Sequence, residues 1–118
     1  VKLGKRSLER LSTIKPKLRE VVLKACETMP FDITVIEGIR TLERQKELLK
    51  QGATKTLNSK HLTGDAVDLA PYPIDWNDTD RFKIMANHVL DAAKKMKVNV
   101  TWGGNWKTFI DMPHFQLD

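Results

Sequence analysis

The chain has 118 residues, of which 20 are Lys or Arg and 15 are Asp or Glu, so its formal net charge is +5. This length fits one domain, and 41% hydrophobic with 30% charged residues is ordinary for a globular protein with a core. The composition therefore argues against disorder, the short apolar runs exclude a membrane span, and the single cysteine excludes both an internal disulfide and a Cys-rich zinc finger.

The first third of the chain predicts two helices followed by a strand. Ser7 is positioned to cap a short first helix, and Pro16 suits the first turn of a second helix that Pro30 ends. The second helix has one apolar face, formed by Leu18, Val21, Val22, Ala25, Cys26 and Met29. Segment 33–36 is rich in β-branched residues and predicts a strand that ends near Gly38.

The middle of the chain predicts a helix, a loop and a short strand. Thr41 is a suitable cap for a helix that Gly52 ends, and residues 53–60 have the composition of a loop. Residues 66–70 form an apolar segment of strand length that is interrupted by Asp68.

The last third predicts the longest helix and two more strands. The helix begins at Asp78 or Thr79, residues 98–102 alternate as a half-buried strand, and 109–117 is a final extended segment after a Gly-Gly turn. Helices and strands are thus mixed along the chain. We therefore predict an α+β fold in which a small, mainly antiparallel sheet packs with three to four helices.

The segment from Ser59 to Asp68 contains the first candidates for chemistry. His61 lies in a polar, glycine-containing turn, whereas Asp68 lies inside an apolar strand, where an unpaired charge is unfavourable. A metal cation would give Asp68 a partner, because metals such as zinc bind imidazole nitrogen and carboxylate oxygen. A turn at Gly64 would let His61 and Asp68 converge on one ion, on the sheet.

A second candidate pair lies near the end of the sequence, where Asp111 precedes His114 by three residues. Two histidines and one aspartate would make a three-ligand set with an open fourth position, which is the layout of catalytic zinc. Asp111 would then lie near the reacting water but outside the ligand set, where a general base belongs. Spacing alone leaves an alternative open, in which His61 is a loop residue, Asp68 is a cap or a salt-bridge partner, and His114 packs in the core.

The pattern of these residues resembles a known family. Ser59-x-His61-x-x-Gly64-x-Ala66-x-Asp68 followed by Asp111-x-x-His114 is similar to the signature of zinc DD/LD-peptidases. That family includes D-alanyl-D-alanine carboxypeptidases and dipeptidases, and the L-alanyl-D-glutamate endopeptidases of bacteriophage endolysins. The similarity extends to Gly38-Ile39-Arg40-Thr41 and Gln45 upstream, and to Trp102-Gly103-Gly104-x-Trp106 downstream.

The resemblance implies a role for each matched position. It implies that His61, Asp68 and His114 bind Zn²⁺ and that Asp111 is the catalytic base, where many relatives carry Glu. The shorter Asp favours the endolysin-like branch of the family. Arg40 corresponds to an arginine that faces substrate oxygens.

Three further residues are candidates for contact with substrate, and two of them have two interpretations. Gln45 either supports Arg40 or is exposed, and Ser59 either hydrogen-bonds substrate or caps its turn. Trp106 is a candidate for lining a substrate cleft, whereas Trp102 follows the alternation of a strand and suits the core.

On this resemblance we expect a zinc metallopeptidase that hydrolyses a peptide bond in the stem peptides of bacterial peptidoglycan. The L-alanyl-D-glutamate bond and the role of a phage endolysin in host lysis are favoured. The alternative enzyme is a D-alanyl-D-alanine carboxypeptidase or dipeptidase, and the alternative of another class is a non-catalytic, zinc-containing binding module. A small basic nucleic-acid binder is disfavoured, because the lysines are dispersed and not interleaved with aromatic residues.

We also expect residues 1–118 to form a single zinc peptidase catalytic domain without a separate wall-binding module. The expected partner is the stem peptide, with no specific nucleic acid, no transmembrane segment and a monomeric state. Residues 1–10 lack the apolar stretch of a signal peptide. The expectation is therefore synthesis in the host cytoplasm and action at the cell wall or periplasm after release.

Overall fold

The computed structural model describes residues 1–54 and 56–118, and within these ranges it contains four α-helices and four strands. The helices are α1 (Lys5–Leu11), α2 (Pro16–Cys26), α3 (Leu42–Lys50) and α4 (Thr79–Lys95). The strands are β1 (Ile33–Glu37), β2 (Ala66–Pro71), β3 (Val100–Trp102) and β4 (His114–Leu117). Two 3₁₀ turns, Lys60–Thr63 and Gly103–Asn105, complete the order, and the predicted α+β class is confirmed.

The four strands form one sheet in the order β1-β2-β4-β3, and each neighbouring pair is antiparallel. Val35 lies opposite Leu69, Val67 opposite Phe115, and Phe115 opposite Trp102. Residues directly opposite each other share a face of the sheet. These side chains therefore form one apolar layer, in which the rings of Trp102 and Phe115 stack with centroids 6.5 Å apart.

Helices α2 and α4 pack on each other and complete the core over this apolar layer. Their fully buried side chains are Leu18, Val21, Val22 and Ala25 from α2, and Phe82, Met85, Ala86 and Val89 from α4. Cys26 belongs to the same core, and burial raises the pKa of its thiol. Cys26 is thus a packing residue, because a neutral buried thiol is a poor nucleophile.

The opposite face of the sheet carries polar side chains on its two central strands. Asp68 lies directly opposite His114, and Ala66 lies opposite Gln116. These residues alternate along β2 and β4 with the core residues, so they face away from α2 and α4. The predicted site residues of both strands therefore meet on this second face.

The predicted helix caps are confirmed in α3 and α4 and wrong in α1. Thr41 accepts a hydrogen bond from the Arg44 N–H, and the Asp78 side chain caps α4 in the same way. Ser7 instead lies inside α1, which begins after Gly4, and its buried hydroxyl accepts a hydrogen bond from the backbone N–H of a β1 residue at 3.0 Å. Ser7 thus joins α1 to the sheet, a tertiary contact that helix signals do not reveal.

The last two strands are shorter than predicted. Segment 98–102 is a strand only from Val100, and 109–117 is a strand only from His114. Phe109 has a positive φ of 54°, and the His114 N–H donates a hydrogen bond to the Asp111 carbonyl oxygen at 3.2 Å. The chain therefore turns just before β4. In the described ranges, no helix has the length and apolar character that a bilayer crossing requires.

Candidate active site

His61, Asp68 and His114 converge on the second face of the sheet. Each offers one potential metal-ligand atom, and these atoms lie within 4.8 Å of one another. Oδ1 of Asp68 lies 3.1 Å from Nε2 of His61 and 3.4 Å from Nδ1 of His114. Both imidazoles are buried, with 1% and 6% of their residue surfaces exposed. The structure thus brings together the three residues that the sequence marked as ligands.

The turn Lys60–Thr63 positions His61. The Ser59 hydroxyl accepts a hydrogen bond from the His61 backbone N–H at 3.2 Å and so caps this turn, which is one of its two predicted roles. Gly64 ends the turn with a φ of 78°, a left-handed conformation that suits glycine. The His61 carbonyl also accepts a hydrogen bond from the Arg40 N–H at 2.9 Å. These contacts hold the turn against the end of β1.

Both imidazoles use their second nitrogen to donate a hydrogen bond. Nδ1 of His61 lies 2.9 Å from the Gly38 carbonyl oxygen, and Nε2 of His114 lies 2.8 Å from Oε1 of Gln116. An oxygen acceptor requires the proton on the nitrogen that faces it, so each neutral ring turns a lone pair toward Asp68. Three acceptor atoms then face one another, an arrangement that needs a cation among them. The donor set therefore fits a zinc-type metal whose histidine ligands are held by outer partners.

The groups around Asp68 keep its carboxylate ionised. Burial favours the neutral acid of Asp68, but hydrogen bonds from His114 and His61 outweigh burial and hold its pKa well below the usual range. Burial likewise opposes protonation of His114, yet hydrogen bonds with Asp68 and Gln116 outweigh it and raise the His114 pKa. Asp68 is therefore ionised at neutral pH and attracts a cation.

Asp111 lies beside the three-residue group and is not part of it. Its Oδ2 is 3.9 Å from Nδ1 of His114, and its side chain is 40% exposed. Burial raises the pKa of Asp111, and the negative charge of Asp68 adds to this effect. A carboxylate with a raised pKa accepts a proton more readily. Asp111 is also anchored, since its backbone N–H donates to the Gly103 carbonyl oxygen at 3.1 Å.

A β-bulge in β1 helps to position Arg40, which follows this strand. The register between β1 and β2 shifts after Val35, so that Glu37 lies opposite Asp68. In regular pairing Glu37 would point to the apolar face, whereas the bulge turns its side chain to the face that carries Asp68. Nε of Arg40 donates to Glu37 Oε1 at 3.0 Å, and a second, shorter ion pair joins Nη2 to the same oxygen. Nη2 also lies 3.8 Å from Oδ2 of Asp68, which places the guanidinium beside the three potential ligands.

Gln45 supports Arg40 from α3 and is not exposed. Its Oε1 accepts a hydrogen bond from Nη1 of Arg40 at 2.7 Å, and its Nε2 donates to the Thr56 carbonyl oxygen at 2.6 Å. The side chain is fully buried. Of the two interpretations that the sequence left open for Gln45, the structure shows the supporting one.

A cavity of about 360 Å³ opens over the site. Its polar side is formed by the three potential ligands with Arg40, Ser59 and Asp111. Leu48, Ala53, Trp106 and Phe109 also line it, and the Trp106 ring lies 5.1 Å from the His114 ring. Trp106 is therefore a cavity residue, whereas Trp102 is buried in the core. The volume is within the usual range for small-molecule sites.

Gly38 provides a direct test of the packing behind His61. A Cβ at Gly38 would overlap the Arg10 carbonyl oxygen and the Thr13 hydroxyl. We expect Gly38→Ala to lower the free energy of unfolding by roughly 1–3 kcal/mol, because overpacking forces the backbone to shift. Urea unfolding measures this effect. The matched control is Gly4→Ala, because a Cβ at Gly4 meets no atom within 4 Å. An equal loss in both variants would contradict the packing explanation.

In sequence and in fold, the chain is similar to proteins named as L-alanyl-D-glutamate peptidases or endopeptidases. The family described as phage L-alanyl-D-glutamate peptidase matches residues 1–117. The chain is 37% identical over 111 residues to the L-alanyl-D-glutamate peptidase of Escherichia phage T5, a match that covers 89% of this chain and 81% of that protein. A solved structure, the Serratia marcescens L-Ala D-Glu endopeptidase ChiX, superposes with a TM-score of 0.92 at 38% identity, over 99% of this chain and 90% of that one.

Two longer relatives match over part of their length. The peptidoglycan L-alanyl-D-glutamate endopeptidase CwlK of Bacillus subtilis (strain 168) is 31% identical over 104 residues, which cover 74% of this chain and 61% of CwlK. The L-alanyl-D-glutamate peptidase of Listeria phage A118 is 32% identical over 97 residues, which cover 78% of this chain and 32% of that protein.

Proposed function

The chain belongs to the phage L-alanyl-D-glutamate peptidase family, and from this membership we propose that it hydrolyses the L-alanyl-D-glutamate bond of peptidoglycan stem peptides. The observation that carries the proposal is the convergence of His61, Asp68 and His114 in a cavity that Asp111 and Arg40 also line. Such a set suits metal-assisted hydrolysis, and the relatives named above are peptidases of this bond. The role is that of a phage endolysin acting on the bacterial wall.

We propose Zn²⁺ as the metal and His61, Asp68 and His114 as its ligands. Two imidazoles and one carboxylate are a frequent ligand set of catalytic zinc, which leaves a further position for water or substrate. When bound, zinc supplies Lewis acidity that polarises the scissile carbonyl and makes the attacking water more acidic. The negative charge of Asp68 and the donor contacts behind both histidines support this assignment.

Asp111 is the general base in this proposal. Its carboxylate takes a proton from the attacking water as the new C–O bond forms at the alanyl carbonyl. The same carboxyl group then returns that proton to the glutamate nitrogen as the C–N bond breaks. The products are a free L-alanyl carboxylate and a new D-glutamyl amine. Partial burial suits Asp111 to both steps, because it raises the proton affinity of the carboxylate.

Arg40 binds substrate oxygens in this proposal. Glu37 and Gln45 use three of its five N–H groups, so the guanidinium is held in one orientation on the cavity wall. Within the described part of the chain, this leaves one N–H on each terminal nitrogen for other partners. A fixed cationic donor at this position stabilises the negative charge that develops on the scissile carbonyl oxygen. Ser59 and Trp106 line the same cavity and complete the proposed substrate contacts.

Digestion of purified peptidoglycan tests the proposed bond. We expect new D-glutamate amino termini after treatment with the zinc-loaded protein, identified by end-group analysis and mass spectrometry of the fragments. Protein treated with a chelator serves as the control and should release no new termini. Release of D-alanine alone would contradict the proposal and would support a D-alanyl-D-alanine carboxypeptidase or dipeptidase.

Removal of the metal should lower thermal stability as well as activity. A metal that binds only the folded state stabilises it by about 2.7 kcal/mol when its free concentration is 100 times the dissociation constant. For a domain of this size, chelation should then lower the melting temperature on the order of 10 °C. Differential scanning calorimetry with and without zinc measures the shift. An unchanged melting temperature after confirmed metal removal would count against a resident metal.

We further propose that residues 1–118 act as one catalytic domain and as a monomer. In the described ranges, one sheet and its adjoining turns carry the three proposed ligands, Asp111 and Arg40. The proposed route to the substrate is synthesis in the host cytoplasm followed by release to the wall at lysis.

A further inference from the structure

The side chain of Gln116 contacts His114 but takes no part in the reaction proposed above. It lies two residues after His114 on β4, so both side chains are on the same face of the sheet. Its Oε1 is 2.8 Å from Nε2 of His114, the ring nitrogen that points away from Asp68. β4 is a central strand, and Gln116 pairs with residues of both β2 and β3. The backbone that carries Gln116 is thus held on both sides.

We propose that Gln116 is a positioning residue, whose side-chain carbonyl holds His114 in the tautomer that turns Nδ1 to the metal. An imidazole has two tautomers, and the one with the proton on Nδ1 would have no lone pair to offer at that atom. An acceptor fixed at Nε2 selects the other tautomer and sets the angle of the ring. This inference rests on the metal assignment made above.

The two histidines differ in a way that makes this role testable. His61 turns Nε2 to the site, because its Nδ1 donates to a backbone carbonyl oxygen at Gly38. His114 turns Nδ1 to the site, because its Nε2 donates to a side chain. Substitution can remove the second acceptor without moving the backbone, whereas it cannot remove the first. The hydrogen-bond acceptor of His114 can therefore be removed by mutating Gln116, whereas the backbone acceptor of His61 cannot be removed by a substitution.

Because Gln116 is neutral, a substitution by glutamate can test the effect of charge separately from the effect of the hydrogen-bond acceptor. A carboxylate at this position would keep the acceptor and add a negative charge close to Asp68 and Asp111. Gln116→Glu should therefore retain the tautomer and bind zinc at least as tightly as the original chain. Gln116→Met has a similar length but offers no oxygen acceptor, and it should bind zinc about 10–100-fold more weakly, as losses of outer-shell partners typically do.

The experiment measures the zinc dissociation constant by competition with a coloured chelator, for the original chain, Gln116→Met and Gln116→Glu. Gln51→Met, an exposed position at the end of α3, is the matched control and should leave the constant unchanged. Nitrogen-15 spectra of the zinc-loaded proteins report the ring N–H of His114 directly. We expect this proton to lie on Nε2 and to be held in a hydrogen bond in the original chain, and to lose that hydrogen bond in Gln116→Met.

The outcomes separate this inference from the proposed function. Zinc binding by the original chain, with an unchanged constant in Gln116→Met, would overturn the role of Gln116 and leave the peptidase proposal standing. A weaker constant in Gln116→Met that Gln116→Glu does not restore would also overturn it, since general damage to the fold would then explain the loss. An original chain that binds no zinc would overturn both. Failure to cleave peptidoglycan, with the expected zinc constants, would overturn only the proposed bond.

Discussion

Asp68→Asn should strongly weaken zinc binding and, with it, hydrolysis of peptidoglycan. Asp68 is the one anionic member of the three-residue group, and its oxygens face His61, His114 and Arg40. An amide of the same shape removes the charge that attracts the metal. Because losing an outer-shell partner alone costs 10–100-fold in affinity, losing this ligand should weaken zinc binding by more than about 100-fold. Metal analysis of the purified variant and a peptidoglycan assay measure the two effects.

The control for this experiment is Asp65→Asn. Asp65 lies three residues earlier in the chain, outside the cavity over the site, and its carboxylate accepts a hydrogen bond from the Thr63 hydroxyl. It should keep both zinc and activity. Melting curves of both variants with chelator present show whether either one is damaged in its fold. A folded Asp68→Asn protein that holds zinc as tightly as the original would remove Asp68 from the ligand set.

Most of the secondary structure follows from local signals in the sequence. Thr41 and Asp78 cap their helices as expected, and the apolar face of α2 is buried at all its main positions. The errors occur where tertiary contacts outweigh local preference. Ser7 suits a cap by type but is buried against β1, and the extended segment before His114 is replaced by a turn closed by backbone hydrogen bonds.

The residues of the candidate site were predictable, but most of the groups that hold them in place were not, with Gln45 and Ser59 as the exceptions. His61, Asp68, Asp111 and His114 are visible because ionisable groups at these spacings resemble a family pattern. The partners that fix them are a backbone carbonyl, a bulge and an amide. None of these three has a strong signature in a single sequence. Two weak signals existed for the amide and for Glu37: Gln116 is two residues from a strand histidine, and Glu37 is three residues before Arg40.

Strand pairing places the key groups with respect to each other. The β2–β4 register sets Asp68 directly opposite His114, and the β1 bulge sets Glu37 opposite Asp68. A slip of one residue in the β2–β4 pairing would move a proposed ligand to the apolar face, and a slip in the β1–β2 pairing would turn Glu37 away from the site. The same hydrophobic alternation that buries Val67 and Phe115 therefore fixes the geometry of the site. The stability of the core and the assembly of the candidate site therefore depend on the same sheet.

Asp111→Asn should remove most of the activity and leave the metal in place. Asp111 lies 3.9 Å from His114 but outside the three-residue group, so its loss should not release zinc. Asparagine keeps the shape and cannot accept a proton from water. Because a positioned general base contributes about 100- to 10,000-fold, kcat should fall by that factor. Steady-state kinetics on a defined stem peptide, with zinc content measured in parallel, checks both halves of the expectation.

Two further variants make this result specific to the carboxylate. Asp111→Glu keeps a proton acceptor on a longer side chain and should recover part of the lost rate, which a purely structural role would not predict. Asp91→Asn removes an exposed carboxylate that pairs with Lys95 on α4, away from the site, and should leave kcat unchanged. Full activity in a zinc-loaded Asp111→Asn protein would exclude Asp111 as the base. Loss of zinc from that variant would instead show that the Asp111 carboxylate contributes to holding the metal, either as a ligand or through His114.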